Sequence, residues 1–164
     1  MNQIKISKYS NGFTFIELIM VIVILGILSV AAFTRIVNNL EPIKVRAAIE
    51  QITSDIEQSK AISMAHHDTV TIAFDITNDS YTIYKGPTGS QTVFTDYLGS
   101  NNGTISFDQS EYKGVDISGA NFSGSTQLSF DTWGNTISGG TITLNTDNII
   151  TVQTLTGHWS ISSQ

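Results

Sequence analysis

The chain has 164 residues, a net charge of −6 and no cysteine. That length accommodates one long helix and a globular part of roughly 100 residues, and the absence of cysteine excludes disulfide staples. Residues 69–164 carry only Lys85 and Lys113 as bases against Asp75, Asp79, Asp96, Asp108, Glu111, Asp116, Asp131 and Asp147; phosphate contact needs a basic patch, so nucleic acid is a disfavoured partner.

Residues 1–12 hold Lys5 and Lys8 and no acid. From Phe13 to Phe33 the only polar residues are Thr14, Glu17 and Ser29, and Gly26 is the one interior helix breaker. As a helix this run reaches roughly 30 Å, one bilayer core. A secretory signal places its small cleavage residues after the apolar region. Here Gly12 precedes it, so cleavage at that point retains the apolar segment. Glu17 stands out, because a carboxylate in such a run costs several kcal/mol unless something answers it. Charge does not settle orientation: Lys5 and Lys8 lie before the run, and Arg35, Lys44 and Arg46 after it, partly countered by Glu41.

Beyond the run the helical period continues. Ile36, Leu40, Ile43 and Ala47 form one apolar track and Ala48, Ile52 and Ile56 a neighbouring one, with Glu41, Lys44, Glu50, Asp55, Glu57 and Lys60 on the remaining faces. The pattern predicts one helix from about 13 to about 65, bent or broken near Pro42. Coiled-coil heptads are not sustained, so the second half is expected to lay its stripe on a sheet.

From Thr69 the period becomes two: Val70-x-Ile72-x-Phe74, Tyr81-x-Ile83, Ile105-x-Phe107, Leu128-x-Phe130, Ile142-x-Leu144 and Ile150-x-Val152 read as half-buried strands. Asn78-Asp79, Gly86-Pro87, Asn101-Asn102-Gly103, Gly139-Gly140 and Asp147-Asn148 read as turns. The Ser/Thr/Gly-rich stretch 114–126 reads as a loop or an irregular strand.

Enzyme signatures are lacking: no Gly-x-Ser-x-Gly elbow, phosphate loop or His-Glu-x-x-His occurs. Adjacent His66 and His67 point about 100° apart on a helix, which opposes a shared metal site. The scattered acids lack EF-hand spacing, leaving a loop calcium site open. The expectation is a protein without catalytic, cofactor-binding or metal residues.

The string Gly12-Phe13-Thr14-Phe15-Ile16-Glu17-Leu18 resembles the processing site of type IV prepilins and pseudopilins. By that resemblance a prepilin peptidase cuts on the cytoplasmic face between Gly12 and Phe13, and Phe13 becomes an N-methylated N-terminus. Glu17, then the fifth mature residue, pairs with an N-terminal amine during filament assembly. The implied fold is α+β and pilin-like, a long N-terminal helix packed on an antiparallel β domain. Its divisions are a leader (1–12), a transmembrane half-helix (13–34), an amphipathic half-helix (35–66) and a β-rich domain (67–164).

Relatives often carry proline near the positions of Phe33 and Thr34, where this chain has none. Many major pilins close their C-terminal region with a disulfide, which this chain cannot, a difference that points to a minor subunit. Phe130-Asp131-Thr132-Trp133-Gly134, then Gly139-Gly140-x-Ile142-x-Leu144, Ile150-x-Val152 and Gly157, resembles the C-terminal signature of the H-type minor pseudopilins, the GspH/FimT group.

The implied role is structural. The subunit is held in the bacterial inner membrane by a single pass, N-terminus cytoplasmic and C-terminal domain periplasmic, and is then assembled with other major and minor pilin or pseudopilin subunits into a type II secretion pseudopilus or a type IV pilus. The competing readings are a signal-anchored extracytoplasmic binding or sensor domain, and a DNA-uptake minor pilin. The acidic domain argues against the latter, as does Gly157-His158-Trp159-Ser160 where such relatives carry arginine.

Overall fold

A computed structural model describes residues 12–37, 40–108 and 111–163, with only the backbone described at 32–37 and 40. The leader residues 1–11, with Lys5 and Lys8, lie outside the described residues. The chain divides into two units after Leu40, and each is taken by itself.

The helical stretch, expected to be bent or broken near Pro42, is two helices, α1 (Phe15–Val37) and α2 (Leu40–His66). Pro42 sits in the first turn of α2, where its missing N–H has no intrahelical partner to lose. In α1, large apolar side chains are exposed on all sides, from Phe15 and Ile16 through Leu25 to Leu28 and Val30. The Ser29 hydroxyl donates to the Leu25 carbonyl at 2.7 Å, so it meets its hydrogen-bonding need within the helix. Among the described residues no helix is long and apolar enough to cross a membrane. The part of α1 with described side chains, 15–31, rises about 25 Å against a bilayer core of about 30 Å.

The second unit is α2 with two antiparallel sheets. The first contains β1 (Val70–Asp75), β2 (Ser80–Lys85), β3 (Thr92–Val93), β4 (Thr104–Ser106) and β6 (Gln127–Phe130), in the order β3-β2-β1-β6 with β4 also on β2. The second contains β5 (Ile117–Asn121), β7 (Gly140–Leu144), β8 (Asn148–Val152) and β9 (Trp159–Ser163), in the order β5-β7-β8-β9. The alternating residues of the sequence face inward as period two requires: Ile72, Ile83, Leu128, Phe130, Ile142, Leu144 and Ile150 are at most 1% exposed. Irregular β5 carries a register shift between Ile117 and Gly119. Two-residue β3 has too little alternation to be read from sequence.

Three expectations change. Ile43 is 62% exposed, and the buried stripe of α2 is Val45, Ala48, Ile49, Ile52 and Ile56. Ile43 and Val45 are two positions apart in the chain, which puts them about 200° apart around the helix axis. Gly139-Gly140 is not a turn, since Gly140 opens β7. A Cβ on Gly140 would lie 2.0 Å from the Asn121 carbonyl oxygen, so glycine is needed there for close strand approach. The hairpin joining β7 to β8 turns over residues 145–147, at the Asp147-Asn148 signal, with positive φ at Asn145 and Thr146.

The third change is Asp55, placed on the solvent side by its charge but only 2% exposed. Its carboxylate accepts hydrogen bonds from the Tyr81 hydroxyl at 2.5 Å, the Tyr97 hydroxyl at 3.1 Å and Gln51 Nε2 at 3.1 Å. Burial pushes its pKa above the ordinary carboxylate value, and the bonds from Tyr81, Gln51 and Tyr97 oppose that only in part. The folded state therefore takes up the Asp55 proton first, and stability grows as pH falls from neutral towards about 4. Comparing unfolding midpoints at pH 7 and pH 5, wild type should gain on Asp55→Asn as the pH is lowered. At pH 7, Asp55→Ala leaves the buried Tyr81 hydroxyl without this acceptor and should cost about 1–3 kcal/mol in denaturant unfolding.

Candidate processing and assembly site

Gly12, Phe13 and Thr14 are non-helical and lead directly into α1. Among the described residues nothing lies within 4 Å of where a Gly12 Cβ would be, and Phe13 is 82% exposed. Thr14 and Glu17 lock the helix start together. Glu17 Oε2 accepts from the Thr14 backbone N–H and from the Thr14 hydroxyl, each at 2.9 Å, while Thr14 Oγ1 accepts from the Glu17 N–H at 3.3 Å. This is a reciprocal capping box, in which a Thr N-cap and a Glu three residues on satisfy two backbone donors that the helix itself leaves open. The acid also sits at the positive end of the helix dipole. Glu17 is thus answered within its own chain, and Thr14 is the partner that the sequence reading overlooked. Thr-x-x-Glu ahead of an apolar run was the signal for it.

The C-terminal residues singled out by their glycine spacing gather at the far end of α2. Asp131 folds the loop after β6: its Oδ1 accepts from the backbone N–H groups of Trp133 and Asn135, both at 2.8 Å, and its Oδ2 from Asn135 Nδ2 at 3.1 Å. Slight burial would raise its pKa, but the bonds from Asn135 and Trp133 prevail and hold the carboxyl below its usual range. Gly134 has φ +79°, and a Cβ there would stand 2.7 Å from Met64 Cγ. Both the left-handed backbone and the approach to α2 demand glycine.

Gly157 lies against Phe130, Thr136 and Lys60. Lys60 donates to the Thr156 carbonyl at 2.7 Å, and Trp159 Nε1 donates to Glu57 Oε1 at 3.0 Å. The buried Thr136 hydroxyl donates to the Gln153 carbonyl at 2.8 Å and ties the two loops to each other. The two loops around Gly134 and Gly157 therefore clamp α2, Gly134 against Met64 and Gly157 beside Lys60, whereas Gly139 and Gly140 lie against Thr154 and Asn121.

His66 and His67 do not form a metal pair. α2 ends at His66, and His67 turns into the left-handed region at φ 48°. The Asp68 N–H closes the end by donating to the Ser63 carbonyl, a Schellman-type stop. His66 Nδ1 lies 3.4 Å from Lys85 Nζ, whereas the His67 ring stands edge-on to Trp133, centroids 6.1 Å apart. His158 directly precedes β9. Among the described residues no group of three or more histidines or acids could hold a metal ion. A polar cavity of about 250 Å³ between Gln51, Asn101, Ser106, Glu111 and Tyr112 is smaller than usual small-molecule sites.

Residues 7–33 match the prokaryotic N-terminal methylation motif, and residues 48–161 match the type II transport protein GspH family. Comparison with curated proteins and with solved structures gives no match. The first match contains Gly12, Phe13, the capping box and most of α1; the second takes in the α2 stripe from Ala48 onward, the first sheet, the second sheet as far as Ile161 in β9, and the two clamping loops. With its sheets mounted on α2 and a methylation motif at its head, the chain belongs to the type II transport protein GspH family, a pilin-like group of minor pseudopilins.

Proposed function

We propose that the chain is a minor pseudopilin or minor pilin, processed after Gly12, methylated at Phe13 and assembled through α1. The observation that carries this reading is the head of α1: an exposed Gly12-Phe13 junction, followed at once by a carboxylate held in a capping box. α1 is the proposed inner-membrane anchor, N-terminus cytoplasmic and β domain periplasmic. Its backbone continues to Val37, 23 residues that rise about 34 Å, and over residues 18–28 it is apolar all round, as membrane helices are.

In the filament, Glu17 answers the methylated amine of a subunit at residue 13. Oε2 is used by Thr14, and among the described residues Oε1 has no partner, so the carboxylate can take up an ammonium without giving up its cap. The partners are a prepilin peptidase and other pilin-like subunits, in a type II secretion pseudopilus or a type IV pilus, where this subunit aids initiation. The proposed role needs no enzymatic chemistry and no cofactor.

Co-expression with a prepilin peptidase should shorten the protein to a Phe13 N-terminus bearing one added methyl group, read by intact mass. An unshortened product would sink the reading.

Two substitutions separate the duties of Glu17. Thr14→Val removes the hydroxyl of the cap and should cost α1 about 0.5–2 kcal/mol; it should keep processing and lower filament incorporation far less than loss of the charge does. Glu17→Gln should also be processed, but it removes the charge from a buried pair, a loss of about 3–5 kcal/mol and so at least about a hundredfold in incorporation. Incorporation of Glu17→Gln at the wild-type level would refute the pairing role.

A further inference from the structure

Strand edges left open to solvent invite pairing with another chain, and proteins blunt them with short strands, bulges, charge, proline or a covering loop. Three edges here are blunted. On the first sheet β3 and β4 are short, and the loop after β6 covers that strand through the Ile137 N–H to Ser129 carbonyl bond and the Phe130–Thr136 bridge. On the second sheet β5 carries its register shift. The fourth edge, β9, has five regularly paired residues, Trp159-Ser160-Ile161-Ser162-Ser163, with no charge, proline or bulge, and among the described residues only β8 pairs with it.

Its open groups can be assigned. The Gln153 N–H donates to the His158 carbonyl, so His158 turns its carbonyl towards the β8 side while its N–H donates to the Thr156 hydroxyl. Alternation along the strand then turns Ser160 and Ser162 the same way and leaves the N–H and C=O of Trp159, Ile161 and Ser163 facing outward. An incoming antiparallel strand must place three outward residues opposite these. β9 itself does so in one register about a two-fold axis at Ile161: Ile161 opposite its own copy, and Trp159 opposite Ser163 at both ends.

Side chains agree with that register. Ile161 pairs with buried Ile150 and so lies on the core-facing side of its sheet, yet it is 48% exposed because the sheet stops there. A second Ile161 directly opposite would cover it. On the other face Ser160 meets Ser162, and no like charges are opposed.

We propose that β9 is a self-complementary docking edge, whose partner is β9 of a second copy of this chain, joining two four-stranded sheets into one continuous sheet. The pairing is isologous, so it closes on itself as a dimer, whereas a filament needs head-to-tail contacts. The dimer is therefore a state of subunits outside the filament, with the aggregation-prone edge covered. It rests on no part of the processing reading.

The cysteine-free chain gives a direct test with the unprocessed full-length protein in detergent. An Ile161→Cys variant, oxidised with copper-phenanthroline, should give a disulfide-linked dimer at least tenfold faster than Asn121→Cys on the opposite edge. Directly opposed, hydrogen-bonded residues lie about 5.5 Å apart between Cα atoms, within disulfide reach. Ser160→Cys and Ser162→Cys should each link poorly alone and efficiently when mixed. Ile161→Lys should lower the dimer fraction in light scattering while the unfolding midpoint holds. Equal rates at positions 161 and 121, efficient self-linking at 160, or an undiminished dimer in Ile161→Lys would each overturn the proposal.

Discussion

The β domain depends on the face that α2 presents to its two sheets. Val45, Ala48, Ile49, Ile52 and Ile56 form one stripe in a core that includes Ile72 and Ile83 of the first sheet and Ile142 and Ile150 of the second. Burying one isoleucine contributes about 1.5–3 kcal/mol, against about 1 kcal/mol for an ordinary hydrogen bond. Adhesion therefore comes from the stripe. The polar contacts along the helix have a different task, because a stripe of similar apolar residues tolerates small rotations that directional bonds do not.

Those contacts lie at successive heights along α2. Gln51 meets Tyr112, Asp55 meets Tyr81 and Tyr97, Glu57 meets Trp159, and Lys60 meets Thr156. Asp55 is the costly one, since its charge is buried without a cation and three neutral donors only partly offset the loss of water. A leucine would bury more apolar surface at this position but could not hold two tyrosines. The two loops of the C-terminal signature act on the same helix from its other end, where Gly134 permits contact with Met64. The buried charge and the glycine turns thus serve one purpose, the fixed seating of both sheets on α2.

This arrangement explains what could be read in advance. Strands such as Gln127–Phe130 and Gly140–Leu144 were legible because one face of each is buried and period two follows directly. The family signature at Gly12, Phe13 and Glu17 was legible because an acid in an apolar run is costly and therefore rarely accidental. Asp55 was not, since a lone charge on an amphipathic helix reads as solvent-facing until its tyrosines, more than twenty residues away in sequence, are brought to it. Gly139-Gly140 misled for a related reason: close backbone approach and a turn both select glycine, and only the partner strand tells them apart.

The capping box bears on the assembly role proposed for Glu17. A bare carboxylate in an apolar helix would carry its full desolvation cost until an ammonium arrived, and that cost would favour protonation or withdrawal to the interface. Thr14 supplies two donors to one oxygen before any partner is present. The acid is thereby kept at the helix start in one orientation, with its second oxygen in reserve. Pairing with an amine then adds to an existing network instead of creating one, and less side-chain freedom remains to be lost when the pair forms. Threonine and glutamate at this spacing therefore let an isolated helix carry the charge, and in the proposed assembly they hold it in one orientation for an incoming amine.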